Sequence, residues 1–232
     1  MNLLAFDTST DILSIAVQAS GPGAVPFEYC GAGGARASCA LIPVAQDLLT
    51  RAGIRLADVD AIVFGRGPGS FTGLRTACSV AQGLAFGAGI EVLAVDTLLA
   101  VAEDAHHREG VEKVVAVLDA RMDEVYSAAY VRENGHWLQQ GNTMLGAPER
   151  VTVSAGFGIA GNAFAAYGAR LPSASVRIDA MPTAAALLRL APILIAAGQA
   201  GPAASATPLY IRDKVAQTIA ERVAARAARL QS

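Results

Sequence analysis

Two α/β lobes, each a mixed sheet flanked by helices, are what this chain predicts. Three observations carry the prediction. Three strand patterns open the chain before helices begin to alternate with strands. A glycine-rich turn, Gly65-Arg66-Gly67-Pro68-Gly69-Ser70-Phe71-Thr72-Gly73-Leu74-Arg75, joins an apolar strand to a helical pattern. Beyond a boundary placed near Gly110, the chain begins again with strands.

In order, Leu3 to Phe6 is an apolar run ending at the polar turn Asp7-Thr8-Ser9-Thr10-Asp11. Ile12, Leu13, Ile15 and Val17 resume the strand pattern, so the two segments form a hairpin. Asp7 ends a central strand. It reads either as a metal- or phosphate-facing acid or as a turn residue bonding nearby backbone N–H groups. Val25 to Cys30 is a third strand. Ser38 is placed to cap a helix from about Cys39 to Ala52, with Leu41, Ala45 and Leu48 on one face. Pro43 falls in the first turn, where proline is tolerated, and Gly53 ends the helix. Asp58 to Phe64 is the fourth strand. The glycine turn follows, then a helix to about Phe86 with Leu74, Ala77, Cys78, Ala81, Leu84 and Ala85 on one stripe. Ser70 or Thr72 can cap that helix, worth about 1 kcal/mol. Val92 to Val95 is a fifth strand, and Asp96 or Thr97 caps a helix to about His107. Three meander strands followed by alternation are the ribonuclease-H-like arrangement of the actin-like kinase superfamily.

The second half offers strands at Lys113 to Leu118, Val125 to Val131 and His136 to Gln140, the last two joined by an Asn134-Gly135 turn. Ser154 to Gly161 is a glycine-broken strand. Pro182-Thr183 opens a helix to about Ala197, kinked at Pro192, and Pro208 to Arg212 is extended. A last helix, Lys214 to Leu230, carries Val215, Ile219, Val223 and Leu230 on one stripe. The division is an N-terminal lobe at 1–110, a C-terminal lobe at 111–212 and a terminal helix at 213–232.

Composition narrows the function. Hydrophobic residues make up 53% and charged residues 16%, which excludes disorder and promises a core. A net charge of −2 gives no broad basic face for unaided nucleic-acid binding. Cys30, Cys39 and Cys78 have no metal or redox spacing, and a start without a basic leader points to reduced thiols in the cytoplasm. The most apolar window, Ala184 to Ala197, is too short and broken to span a bilayer.

The glycine turn is not a Walker A loop, since no Lys-Ser or Lys-Thr pair closes it, nor a dinucleotide fingerprint. Gly67, Gly69 and Ser70 remain candidates for a vestigial nucleotide site with Asp7 and Arg121. Arg66 and Arg75 could meet phosphate or lie on a solvated surface. His106, His107 and His136 do not make a zinc motif. The stretch Asp119 to Tyr126 is either a site or an ion-pair-rich turn. The final helix, with Lys214, Arg222, Arg226 and Arg229, could touch RNA phosphates or be a solvated face.

With these residues named, the chain resembles the TsaB (YeaZ) family. The matching stretches are Leu4-Ala5-Phe6-Asp7-Thr8-Ser9-Thr10, the glycine turn, Ala81-Gln82-Gly83-Leu84-Ala85, Asp119-Ala120-Arg121-Met122, Glu124-Val125-Tyr126 and Pro208-Leu209-Tyr210-Ile211-Arg212. The resemblance implies two ribonuclease-H-like lobes and a non-catalytic subunit of the tRNA threonylcarbamoyladenosine machinery. It implies a heterodimer with TsaD, which carries the metal and transfers the threonylcarbamoyl group, joined by the ATPase TsaE. The acceptor is N6 of the adenosine 3′ of the anticodon. No cofactor of its own is expected, since ATP and metal serve the partner subunits. The helices implied at the TsaD contact are about 38–52 and 72–86, with Leu41, Ala45, Leu48, Gly73, Ala77, Val80, Ala81 and Leu84 as the contact set. A charge at Ala77 or Ala81 is then expected to abolish pairing and leave the fold intact. The same surface would serve a homodimer without TsaD. Two departures stand out: Ala37 where the family usually has histidine, and Asp123 in a glycine position. The competing readings are a stand-alone phosphotransferase using Asp7 and the glycine turn, and a metalloprotease.

Overall fold

The computed structural model describes residues 1–212; the expected final helix, Lys214 to Leu230, lies outside them. The first sheet comprises β1 (Leu3–Asp7), β2 (Ile12–Gln18), β3 (Phe27–Ala32), β4 (Ala61–Gly67) and β5 (Glu91–Asp96). Its order is β3-β2-β1-β4-β5. β2 runs antiparallel to both β1 and β3, while β1, β4 and β5 are mutually parallel. β1 is buried along its whole length because both faces of the sheet are covered. Its side chains alternate between two cores: Leu4 and Phe6 enter one, Leu3 and Ala5 the other.

The second sheet comprises β6 (Lys113–Arg121), β7 (Glu124–Glu133), β8 (His136–Gly146), β9 (Gly158–Gly161) and β10 (Arg177–Asp179), ordered β10-β9-β6-β7-β8. Here β7 is antiparallel to β6 and β8, and β9 and β10 continue parallel to β6. Read from β8, this repeats the first sheet strand for strand. The lobes are one supersecondary unit used twice, as the restarted strand pattern predicts. They differ in their crossovers. α1 (Ala37–Arg51) and α2 (Phe71–Ala88) cover the outer face of the first sheet. The second sheet has in their place a single 3₁₀ turn at Pro148–Arg150 and the one-turn α4 (Phe164–Tyr167). The outer face there is closed by a thin layer that includes Val151, Ala163 and Leu171.

α3 (Thr97–Glu109) and α5 (Ala184–Ala196) make the layer between the sheets. Leu98, Val101 and Ala105 of α3 join the core of the second sheet, whereas Ala184, Leu187 and Ala191 of α5 join that of the first. Polar groups lock this layer. Glu103 accepts hydrogen bonds from Trp137 Nε1 at 2.9 Å and Arg189 Nε at 3.0 Å. Asp104 accepts from Arg108 at 2.8 Å and from the Met181 amide at 3.2 Å. Both carboxylates are buried, and burial of charge requires such partners. The strands therefore separate at the α3 C-cap, Gly110, but the packing does not. α5 lies on the first sheet, Val92 and Gly201 exchange backbone hydrogen bonds at 2.8 and 2.9 Å, and Ala206 enters the first core.

Helix starts differ from the capping expectations. α1 begins at Ala37, and neither Ser70 at the head of α2 nor Asp96 at the head of α3 makes a side-chain cap bond. Thr183 does cap α5, accepting from the Ala186 amide at 3.2 Å. β9 is shorter than the glycine-broken strand expected, since Ser154 to Phe157 is a turn, and β8 runs on to Gly146.

The contact set expected on α1 and α2 needs correction. Leu41, Ala45, Leu48, Gly73, Ala77 and Ala81 are buried in the chain's own structure, and only Val80 and Leu84 keep partial exposure. The apolar stripe that periodicity finds is the one facing the helix's own sheet. The expectation that a charge at Ala77 or Ala81 spares the fold falls with it. Ala77→Asp is expected to lower unfolding free energy by at least about 3 kcal/mol, as an unpaired buried charge does. Gly83, exposed in mid-helix with open space at its Cβ position, behaves oppositely: Gly83→Ala should raise stability by about 0.5–1 kcal/mol. Urea denaturation of the isolated chain checks both.

Candidate functional site between the lobes

The β1–β2 turn and its counterpart, the β6–β7 turn, face one another across a cleft of about 480 Å³. Ser9 to Asp11 and Gly69 to Phe71 line it from the first lobe, and Leu118 to Met122, Tyr126 and Asn162 from the second. The irregular segment Leu209 to Arg212 closes a third side. That segment is tied to both lobes: the Leu209 amide donates to Arg66 O at 2.8 Å, and Arg212 Nη2 donates to Ala120 O at 3.0 Å and pairs with Glu124 at 2.7 Å.

The glycine turn rests on the β1–β2 turn. The Ser70 amide donates to Ser9 O at 2.7 Å, and Thr8 Oγ1 donates to Gly73 O at 2.7 Å. A Cβ at Gly73 would fall 1.8 Å from Thr8 O, so only glycine permits this approach. A Cβ at Gly65 would fall 1.8 Å from Asp7 Oδ2. These glycines make room for protein, and the Ser70 amide that could have met a phosphate is already committed.

Asp7 ends β1 as expected, but beneath the cleft wall. It is 1% exposed. Oδ1 accepts from the Ser9 amide at 2.8 Å and from Ser9 Oγ at 2.6 Å, the local turn bonding that the sequence allows. Oδ2 is buried and has no partner among the described residues. Burial pushes the acid up from 3.8 to about 6, with the Ser9 bonds acting in the opposite direction.

The charged groups of the cleft are paired with one another. Arg121 bonds Asp11 across the lobes and Asp119 at 3.1 Å within its own. Arg121, Met122 and Asp123 all hold left-handed backbone, at φ 59°, 56° and 67°. The turn thus keeps the conformation a glycine would favour even though Asp123 occupies that position, and Asp is among the residues that tolerate it best. The Asp123 carboxylate pairs with Arg170 at 2.6 Å. The other two arginines near the glycine turn also have protein partners. Arg66 pairs with Asp96 at 2.5 Å. Arg75 lies 3.8 Å over the Phe71 ring and donates to Tyr210 Oη at 3.1 Å. The stretch Asp119 to Tyr126 proves to be both an ion-pair-rich turn and a wall of the cleft.

Of the nucleotide-site candidates, Gly69, Ser70 and Arg121 line the cleft, whereas Asp7 and Gly67 lie beneath it. Asn162 and the ring of Phe71 were missed as cleft residues. Tyr210 carried a signal only as part of the Pro208-to-Arg212 motif. Ala37 is buried in the first core. Among the described residues, no three His, Cys, Asp or Glu side chains converge as a metal-binding group, and no helix is long and apolar enough to cross a membrane.

A duplicated two-lobed α/β fold with a cleft at its paired turns defines the class, and residues 35–228 match the family model described as "TsaD: tRNA N6-adenosine threonylcarbamoyltransferase". Within that class the chain is 35% identical to the tRNA threonylcarbamoyladenosine biosynthesis protein TsaB of Escherichia coli, covering 93% of this chain and 96% of that protein. It is 42% identical to the TsaB of Haemophilus influenzae over 57% of this chain and 55% of that one. The solved structure of YeaZ from Pseudomonas aeruginosa, 40% identical, superposes with a TM-score of 0.83 over 90% of this chain and 99% of that chain. The chain belongs to the TsaB (YeaZ) family.

Two predictions follow from the geometry of the turns. The folded-state value of Asp7 lies above its unfolded one. Its contribution is therefore fully present below about pH 4 and is lost as pH rises through about 6. Asp7→Asn removes that slope and should gain up to about 3 kcal/mol on the wild type between pH 4 and pH 7, measured by denaturant titration across that range. Gly73→Ala should cost more than about 2 kcal/mol, because the backbone of Thr8 must move. The same titrations at one pH would reveal it.

Proposed function

We propose that the chain acts in tRNA threonylcarbamoyladenosine biosynthesis as a non-catalytic subunit that grips TsaD with the outer faces of α1 and α2. One observation carries this reading: long stretches of both helices lack charge, with Asp47 and Arg51 at the end of α1 and Arg75 at the start of α2 as the exposed charges. α1 has no charged residue from Ala37 to Gln46, and α2 has none from Thr76 to Ala88. Helices on a protein surface ordinarily place charges outward. Within those stretches the outward positions hold Ser38, Cys39, Ile42, Pro43 and Gln46 on α1, and Ser79, Gln82, Gly83, Phe86 and Gly87 on α2. Phe86 is 83% exposed. A large ring beside small residues is a knob next to a shallow groove, suited to a second helix pair.

TsaD fits as the occupant because its own family model matches this chain. A protein of related fold can offer an equivalent helix pair, giving a near-twofold contact. The same logic makes a homodimer the fallback in isolation. The paired charges of the cleft support a subunit whose chemistry lies in its partners. TsaE is the third component, ATP and metal belong to the partner subunits, and tRNA meets the chain through the complex in the cytoplasm.

The test is reconstitution of tRNA modification from TsaD, TsaE and the enzyme that supplies threonylcarbamoyl-adenylate, with and without this chain. Modification should depend on it; full activity in its absence, or turnover of substrate by the chain alone, overturns the reading. Phe86→Asp should keep the melting temperature of the wild type and weaken co-elution with TsaD at least tenfold, about 1.4 kcal/mol. Undiminished co-elution would remove the helix faces from the interface.

A further inference from the structure

We infer that the segment Lys214 to Leu230 covers the outer face of β7 and β8 as a helix, filling within one chain the place that α1 fills in the first lobe. Neither the pairing with TsaD nor the cleft between the lobes enters into it.

The two sheets share one strand order, so β7 and β8 stand where β2 and β3 stand in the first lobe. There a helix covers the strand pair. Leu41, Ala45 and Leu48 of α1 share a core with Leu13, Ile15 and Val17 of β2, and Phe27 of β3 packs against it. In the second lobe the chain passes from β8 to β9 through the Pro148–Arg150 turn and no α-helix. The thin outer layer reaches Val125 and Ala129 of β7 but no residue of β8. Cross-strand pairing puts Met144 opposite Ser127 and Leu138 opposite Val131 on this same face. Leu138 is 46% exposed and Met144 62%. Among the described residues neither joins any of the cores. Large apolar side chains left outward on one sheet face mark a surface that something covers.

The chain delivers its own occupant to this place. Arg212 is held at the β6–β7 turn, donating to Ala120 O at 3.0 Å and pairing at 2.7 Å with Glu124, the first residue of β7. The residues after it therefore set out from the Met144 end of the open face. Their sequence has the pattern the place requires. Val215, Ile219, Val223 and Leu230 make one apolar stripe, with the small Ala216, Ala220 and Ala227 beside it. A helix over 214–230 runs about 25 Å and the ten-residue β7 about 33 Å, so the one fits along the other. Charge agrees with this direction. Arg226 and Arg229 fall in the last turns of the stripe, and Glu133, at the far end of the same face, is exposed without an ion pair among the described residues. A segment tethered beside its seat also meets it at a high effective concentration, which a second copy or a free partner does not.

Hydrogen exchange on the full chain at low micromolar concentration reads the face and the segment together. Amides of 214–230 should exchange at least about tenfold more slowly than in a free peptide of the same sequence. Leu138→Asp combined with Met144→Asp should return them to the peptide rate while the amides of β6 keep their protection. Ile219→Asp combined with Val223→Asp reads the contact from the other side and alters no residue of either sheet. It should quicken exchange across 138–146 at least about threefold. Peptide-like exchange of 214–230 in the wild type would overturn the inference. So would protection that survives the β8 substitutions, or exchange across 138–146 that ignores the segment substitutions, since the segment would then lie on another surface. Protection that appears only as chain concentration rises would give the face to a second copy. Protection that appears only when TsaD or tRNA is added would give the segment to that partner. Either result also overturns it.

Discussion

The close backbone approach of the glycine turn to the β1–β2 turn sets much of the layout of the first lobe. Thr8 O lies where a Cβ of residue 73 would be, and the Ser70 amide is bonded to Ser9 O. Buried backbone groups must find partners, and here two turns satisfy each other. That contact sets where α2 begins and how it lies on the sheet. It also fixes one wall of the cleft, since Ser9, Gly69 and Ser70 line it together. The outward face of α2, with Phe86 near its far end, is oriented by the same junction.

Much of this fold was legible in the sequence because its strands announce themselves by composition and its helices by spacing. The order of the first five strands and the restart after Gly110 follow from patterns strong enough to survive without tertiary information. Short elements of the second lobe were harder. β10 and α4 span only three and four residues, too few for any period to register. The role of the glycines was legible only in half. Their density marked a close approach, but whether the approaching group was phosphate or another turn depends on a contact between segments some 60 residues apart. The contact set expected on α1 and α2 is buried for a different reason. Periodicity identifies an apolar stripe, and in a helix on a sheet that stripe belongs to the sheet. The opposite side of α2, without charge from Thr76 to Ala88, leaves no periodic mark that a stripe search registers.

Duplication explains the layout and its asymmetry. Both lobes keep the strand order, but only the first keeps long crossover helices. The second spends its sequence on a thin outer layer and on a helix, α5, that leaves to cover the first sheet. With α3 covering the second sheet, each lobe is completed by an element between them. Glu103 bonds Arg189 of α5 and Trp137 of β8, and Asp104 accepts from Thr183 at the head of α5, fixing the layer through directional bonds, which apolar packing alone would not do. The cleft is therefore preformed by the core of the molecule, and the segment ending in Arg212 ties its third side to both lobes.

Two unfavourable features border that cleft. Beneath one wall, Asp7 keeps a buried oxygen without a partner among the described residues. On the other, three successive non-glycine residues hold left-handed backbone. Each costs on the order of 1–3 kcal/mol and persists only where the surroundings enforce it. An apolar residue at position 7 or a glycine at 123 would relieve one or the other without altering strand order. Local cost concentrated at the two equivalent turns of a duplicated fold is the pattern expected where shape matters more than stability. The outer helix faces differ: they hold an uncharged stretch from Thr76 to Ala88 of α2 and the exposed ring of Phe86.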